Sequence, residues 1–293
     1  MPGGSSVSID FQLGFGGADP PPKEVGSVTF PVETISQVVG RHVFYNDSAF
    51  DGSNVNPTPA DDAAIAIDKT PLMPDGIASA ANYTSFLSGI NAVMIDVDRL
   101  PRPLELDAGD FEFRMGNDSD PANWPAAPQP NNVLIRPAAG PDQADRIMLT
   151  WPDESIVDNW LQVTLLPTDE SGLAAADVFY FGNAVGETGN RTSDALVTAA
   201  DVIAVRDHPH GPANRATITN PHDINRDQLV DAADLLAVRD AVNSPFTALR
   251  LIDLSSPSPT PVPEPSALML LLVALSFFCR RVFLGFASRQ RRI

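Results

Sequence analysis

The 293-residue chain has one cysteine, Cys279, so it forms no intramolecular disulfide and no cysteine-based zinc site. Lysine occurs only at Lys23 and Lys69. Basic side chains number 19 against 37 acidic ones, a net charge of −18. Phosphate neutralisation needs clustered Lys and Arg, so a nucleic-acid partner is excluded. The few basic residues are also unevenly placed. Arg280, Arg281, Arg289, Arg291 and Arg292 lie beyond Glu264, the last acid, leaving 14 basic against 37 acidic residues before them, a charge of −23. A polyanionic body with a cationic tip is a topological signal. Catalytic signatures are missing as well: there is no G-x-S-x-G, H-E-x-x-H, Walker or Rossmann pattern. The opening residues Met1 to Ser6 carry neither a basic n-region nor an apolar h-region, so no secretory signal is present as written.

What is present is punctuation and alternation. Twenty-eight prolines and 19 glycines among 43% hydrophobic residues describe short elements joined by loops. Val93, Ile95 and Val97 interleave with Met94, Asp96 and Asp98. Phe111, Phe113 and Met115 interleave with Glu112 and Arg114, and Leu161, Val163 and Leu165 with Gln162 and Thr164. Such period-two runs between turn clusters predict half-buried strands and an antiparallel β-sandwich over residues 27–181. Helix is expected there only around Pro59 to Ile67. Residues 1–26 read as a linker or a truncated remnant, although Val7 to Leu13 also alternates.

Two chemistries compete for this body. The carboxylate pairs Asp96/Asp98 and Glu105/Asp107 have the residue type that glycoside hydrolysis needs, but solvated strand edges explain them more simply. Trp124, Trp151 and Trp160 offer a sugar-stacking platform for a polysaccharide, against the commoner use of tryptophan as core. His42, His208, His210 and His222 show no ligand spacing on one element, and His208-Pro-His210 is expected to be solvated.

Residues 182–254 contain a duplication. Asn190 to Asp207 (NRTSDALVTAADVIAVRD) and Asp223 to Asp240 (DINRDQLVDAADLLAVRD) repeat at an offset of 33 residues. In the second copy Asp223, Asn225, Asp227, Asp231 and Asp234 occupy positions 1, 3, 5, 9 and 12 of a twelve-residue loop, and Leu229 at position 7 offers its carbonyl. A hard cation wanting six to eight oxygens is wrapped by such a loop, which predicts Ca²⁺. A capped helix after a polar turn would need only Asp231. In the first copy the set is Asn190, Thr192, Asp194, Leu196, Thr198 and Asp201. Two carboxylates there replace four, so weaker binding is expected. Ala195 and Gln228 stand at position 6, where glycine eases the turn.

Two loop–helix units with Asp at position 12 and no entering helix resemble a type I dockerin. The resemblance implies two antiparallel units, one calcium each, and a cohesin domain as partner in polysaccharide-degrading assemblies. The partner-reading positions of that family fall on Ala199-Ala200 and Ala232-Ala233, and on Arg206-Asp207 and Arg239-Asp240. Hydroxyl residues are commoner at the first pair. The stretches from Arg41 (RHVFYN) and Val178 (VFYFGN) resemble β-domains that precede dockerin repeats in large planctomycete surface proteins.

Residues 255–265 alternate Ser and Pro and predict an extended spacer. Ala267 to Cys279 is an uncharged apolar run closed by Arg280-Arg281. Thirteen helical residues reach about 20 Å, so spanning a bilayer requires snorkelling arginines and continuation through Ala287. Val262-Pro-Glu-Pro265, the apolar helix and the arginine cluster together resemble the PEP-CTERM sorting signal. That implies recognition by an exosortase and transient membrane anchoring through residues 266–293. The expected whole is a mainly β, non-catalytic, exported surface protein with a calcium-stapled attachment module and a C-terminal membrane helix. The rival expectation is an accessory or catalytic component of polysaccharide degradation. Export also calls for a leader, so the N-terminus reads as truncated or mis-started.

Overall fold

Alternating apolar residues become ten strands in the computed structural model, which describes residues 6–12, 25–31 and 35–255. β1 (Ser6–Gln12) and β2 (Val25–Pro31) form an antiparallel ribbon of their own, in register from Ser6 opposite Pro31 to Gln12 opposite Val25. The alternation from Val7 is therefore a paired strand, and its partner straddles the boundary expected at residue 26.

The other strands make two four-stranded sheets. The first has the order β3 (Gln37–Val43), β5 (Ala92–Asp98), β8 (Asp145–Thr150), β7 (Asn132–Arg136), antiparallel throughout. The second has the order β4 (Tyr83–Thr84), β10 (Asp177–Asn183), β9 (Trp160–Leu165), β6 (Phe111–Gly116), with only the short β4 parallel to its neighbour. Val93, Ile95, Val97, Ile147 and Leu149 of the first sheet share one apolar core with Phe111, Phe113, Leu161, Val163, Phe179 and Phe181 of the second.

The strands expected to be half-buried are covered on both faces at the centre of each sheet. Ala92, Met94 and Met148 on the outer face of the first sheet pack under Phe44 and Ala64. These come from a long loop that includes the 3-10 segment Pro59–Ala64, where helix was expected. On the outer face of the second sheet Trp160 and Tyr180 are covered by Leu72, Ala78, Leu249 and Ile252. Leu249 and Ile252 follow the repeat region, so the chain returns to the sheets after leaving them.

Asp96 faces outward from β5 yet is fully buried. The Arg146 guanidinium grips it through two hydrogen bonds, 2.7 and 2.8 Å, and His42 lies 3.2 Å away. Gly40 and Gly140 leave the room: a Cβ at either would stand 2.8 Å from an Asp96 carboxylate oxygen. Burial alone would raise this carboxyl, but hydrogen bonds from Arg146 and His42 and the Arg146 charge hold it down to about 2.

The duplicated segment forms two nine-residue helices, α1 (Ala199–Asp207) and α2 (Ala232–Asp240). Val197, Val205, Ala216, Ile224, Val230 and Val238 make their common core. No helix among the described residues is long and apolar enough to cross a membrane. The expected sorting helix, and the spacer from residue 256, lie outside the described residues.

Candidate metal centre

Asp231 caps α2 by accepting from Ala233 N–H at 2.7 Å, and Asp234 reaches back to Asp231 N–H at 2.9 Å. The capping box is thus formed, but Asp234 does more. Its second oxygen accepts from Ile224 N–H at 2.7 Å and Asn225 N–H at 3.2 Å, tying the start of the loop to the start of the helix. Asp223 in turn accepts from the N–H groups of Asp227 and Gln228, and Asp227 from Leu229 N–H. Asp223 and Asp234 are fully buried. Burial pushes the Asp223 carboxyl up to about 6; Arg226 opposes that shift, and the charges of Asp234 and Asp227 add to it. Burial raises Asp234 too, and Asp227 again adds to it. Positions 1, 5 and 12 therefore lie in one another's field.

The turn is made without glycine. Arg226 and Gln228, at positions 4 and 6, have φ of 57° and 69°. A side chain there costs on the order of 1 kcal/mol. Contacts with the sheet region hold both residues in place. Gln228 Nε2 donates to the Ala49 carbonyl at 3.0 Å, and Ala49 N–H donates to the Arg226 carbonyl at 3.0 Å. The Arg226 side chain lies 4.4 Å over the Tyr45 ring and donates to Ser85 Oγ at 3.2 Å and the Asn220 carbonyl at 2.5 Å. The loop's own cation thus makes its hydrogen bonds outside the carboxylate set, while its charge still eases Asp223.

Asp223, Asn225, Asp227, Asp231 and Asp234 with the Leu229 carbonyl remain an all-oxygen donor set rich in carboxylates, which fits Ca²⁺. Among the described residues no group of three or more His, Cys, Asp or Glu side chains stands as a ready centre. The loop carboxylates are turned onto backbone N–H groups, so ligation would exchange those bonds for the ion.

The first loop follows a different path. Ala195, its position 6, is buried and pairs with Leu249 as an isolated bridge, and neither it nor Ser193 has positive φ. Asp201 accepts from Thr188 N–H, Thr188 Oγ1 and Asn190 Nδ2 on one oxygen, and from Thr198 N–H and Oγ1 on the other. Asp194 receives Ser193 Oγ at 2.8 Å and the Arg191 guanidinium at 3.7 Å. Thr192 is exposed, and Leu196 N–H bonds to Asp194 at 3.3 Å. Asn190, Thr198 and Asp201 are brought together; Asp194 is drawn toward Arg191.

One residue here escaped sequence reasoning. Glu187 precedes the twelve-residue frame, yet it is buried beside the loop, accepting from Tyr83 Oη at 2.7 Å and Gly189 N–H at 2.8 Å. Burial raises its carboxyl, and the charge of Asp201 adds to this. The G-E-T-G sequence ahead of the repeat was the available signal.

Ala199, Ala200, Ala232 and Ala233 are exposed, as are both Arg-Asp pairs. Arg206 donates to both carboxylate oxygens of Asp207, and Arg239 donates twice to Oδ1 of Asp240. The two faces differ in setting. Ala233, Leu236 and Asp240 on α2 form one wall of a groove of about 630 Å³ whose other wall includes Leu87, Val157 and Asp158.

Other candidates resolve into structure. Asp96 is in its ion pair, Asp98 is half-buried beside Arg99, and Glu105 and Asp107 lie off the strands, Asp107 capping the 3-10 turn Ala108–Asp110. The second pair thus lies on no strand edge. Trp124, Trp151 and Trp160 are all buried, their indole N–H groups donating to Asp118, the Pro128 carbonyl and the Arg250 carbonyl. They form no exposed platform. His208 is exposed but stacks on His222, centroids 4.5 Å apart, a contact made across the connector between the helices.

The chain matches no protein-family model, no curated protein and no solved structure.

Proposed function

We propose that this is a non-catalytic, exported surface protein in which the second loop–helix unit binds Ca²⁺ and the paired units attach it to a cohesin-like domain. The observation that carries the reading is the second loop. Buried Asp223 and Asp234 sit within the field of Asp227, while Arg226, the loop's only cation, makes its hydrogen bonds elsewhere and offsets only part of the Asp223 shift. Burying more like charges than one arginine offsets costs several kcal/mol, and a divalent cation removes that cost.

Asp223, Asn225, Asp227, Asp231, Asp234 and the Leu229 carbonyl would hold the ion. It would supply charge neutralisation and fix the start of α2. The first loop is the weaker site, with Asn190, Asp194 and Asp201 as its strongest donors. The two sheets act as an antiparallel sandwich that carries the dockerin-like pair. The cohesin-like partner would read the exposed Ala-Ala and Arg-Asp sets, and the acidic body with its arginine-tipped tail supports exosortase sorting through a membrane stage. Engagement of Asp96 with Arg146 and of Asp107 in a cap supports a non-catalytic body.

Calorimetric calcium titration of the full chain tests the calcium claim, with Asp227→Ala as the control. The reading expects Asp227→Ala to lose one binding event while far-UV circular dichroism keeps the β signal. Equal calcium binding by the two proteins defeats it.

A further inference from the structure

Residues 46–61 form a closed loop over the outer face of the first sheet. Its ends are pinned by the Phe44–Ile65 bridge and by Tyr45 N–H donating to the Ala64 carbonyl at 3.0 Å. Three buried side chains in this loop have an oxygen with no hydrogen-bond partner: Asn46 Oδ1, Asp51 Oδ2 and Asp61 Oδ1. Asn46 and Asp51 are 5% exposed and Asp61 is 0% exposed.

The remainder of each group is fixed by the loop itself. Asp51 Oδ1 accepts from the N–H groups of Ser48, Ser53 and Asn54, Asp61 Oδ2 accepts from Thr58 N–H, and Asn46 Nδ2 donates to the Val55 carbonyl. Three rigidly held groups thus each keep one oxygen in reserve. Adjacent residues hold two of them: Asn54 N–H donates to Asp51 and the Val55 carbonyl accepts from Asn46. Burial raises both carboxyls, and the charge of Asp51 adds to the rise at Asp61. The nearby arginines make their hydrogen bonds elsewhere, Arg136 and Arg146 holding Asp62 at 2.7–2.9 Å, and the Arg136 charge offsets the rise of Asp61 only in part.

Orphaned buried oxygens are expensive, and two carboxylates in one field more so. Two carboxylates and an amide carbonyl form an oxygen-only set suited to a hard cation. We propose that Asn46, Asp51 and Asp61 form a site for a hard divalent cation of the calcium type, separate from both loop–helix units. The ion would fasten the 46–61 loop to the sheet. Through Ala49, which exchanges hydrogen bonds with Arg226 and Gln228, it would also brace the second calcium loop.

Two other solutions exist for the same oxygens: a proton shared between Asp51 and Asp61, or bridging water. Equilibrium dialysis with radiolabelled calcium, counting ions per full-length chain, separates them. Asp61→Asn keeps an oxygen for the Thr58 cap and is expected to bind one calcium fewer than the wild type. Asp61→Asn combined with Asp227→Ala is expected to bind two fewer. A folded Asp61→Asn with the wild-type count overturns the proposal in favour of the proton or water, as does a wild type that binds none. If Asp61→Asn does not fold, Asn46→Ala decides: it keeps both carboxylates, and a weakening of one ion by tenfold or more is expected. Unchanged affinity overturns the site. Loss of an ion in Asp227→Ala alone concerns the second loop and leaves this site standing.

Discussion

Replacing Arg226 by alanine removes one of the two side chains, with Gln228, that tie the second loop to the sheet region. Arg226 is 2% exposed, lies 4.4 Å over the Tyr45 ring, and donates to Ser85 and the Asn220 carbonyl. A desolvated cation–π contact contributes about 2 kcal/mol. Each hydrogen bond from a charged donor contributes about 1.5–3 kcal/mol. Truncation also releases the cost of keeping a guanidinium out of water, which offsets several kcal/mol of that total. The net loss expected is about 3 kcal/mol, which lowers the unfolding midpoint by roughly 6–12 °C for a unit of this size. Because the contact spans two regions, the helical signal at 222 nm and tryptophan fluorescence from the sheet core should fall together in a thermal melt of the full chain. A variant within 1 kcal/mol of wild type would refute the reasoning. So would two separated transitions with only the helical one displaced, since the loop would then be independent of the sheets.

Asp96→Asn leaves buried Arg146 with Asp62, 2.7 Å away, as its remaining anionic partner, and is expected to cost about 3 kcal/mol in urea denaturation, the low end for breaking a buried pair. The same pair sets an acid limit. The folded carboxyl is held at about 2, below its ordinary range, so its contribution is complete above the unfolded value near 4 and is lost as pH falls from about 4 toward 2. Denaturation midpoints across that window should fall for the wild type and less steeply for Asp96→Asn. Trp160→Phe removes the indole N–H that meets the Arg250 carbonyl at 2.7 Å, and a loss of about 1–3 kcal/mol is expected by calorimetry. Glycan pull-down should be unchanged by that substitution, because Trp160 is buried and no sugar can stack on it.

Period-two alternation placed β5, β6 and β9 correctly, because antiparallel strands with one face on a core leave that pattern in sequence. It said nothing of what lies on the outer faces. Met94 and Trp160 are buried by a loop and a returning segment distant in sequence, and only tertiary structure brings Phe44 or Leu249 onto them. The second loop was legible because six candidate oxygen donors fall within twelve residues. Its conformation was not, since Gln228 adopts φ 69° with the help of Ala49, far away in the chain. The same distance hid Glu187 and the Asn46, Asp51 and Asp61 oxygens, which have no motif and are recognised only by burial and missing partners. The equivalence of the two copies, plain in sequence, breaks in the fold. Ala195 is drawn into a bridge with Leu249, while Gln228 turns through positive φ.

The central claim is that the second loop is a calcium site coupled to the folding of the unit around it. Differential scanning calorimetry of the full chain, in EDTA and then in calcium, tests it most directly. A ligand at about a hundred times its dissociation constant adds about 2.7 kcal/mol to the folded state. The account predicts that calcium raises the main transition by several degrees in the wild type, and by less in Asp227→Ala. Superimposable wild-type melts in EDTA and calcium would contradict it.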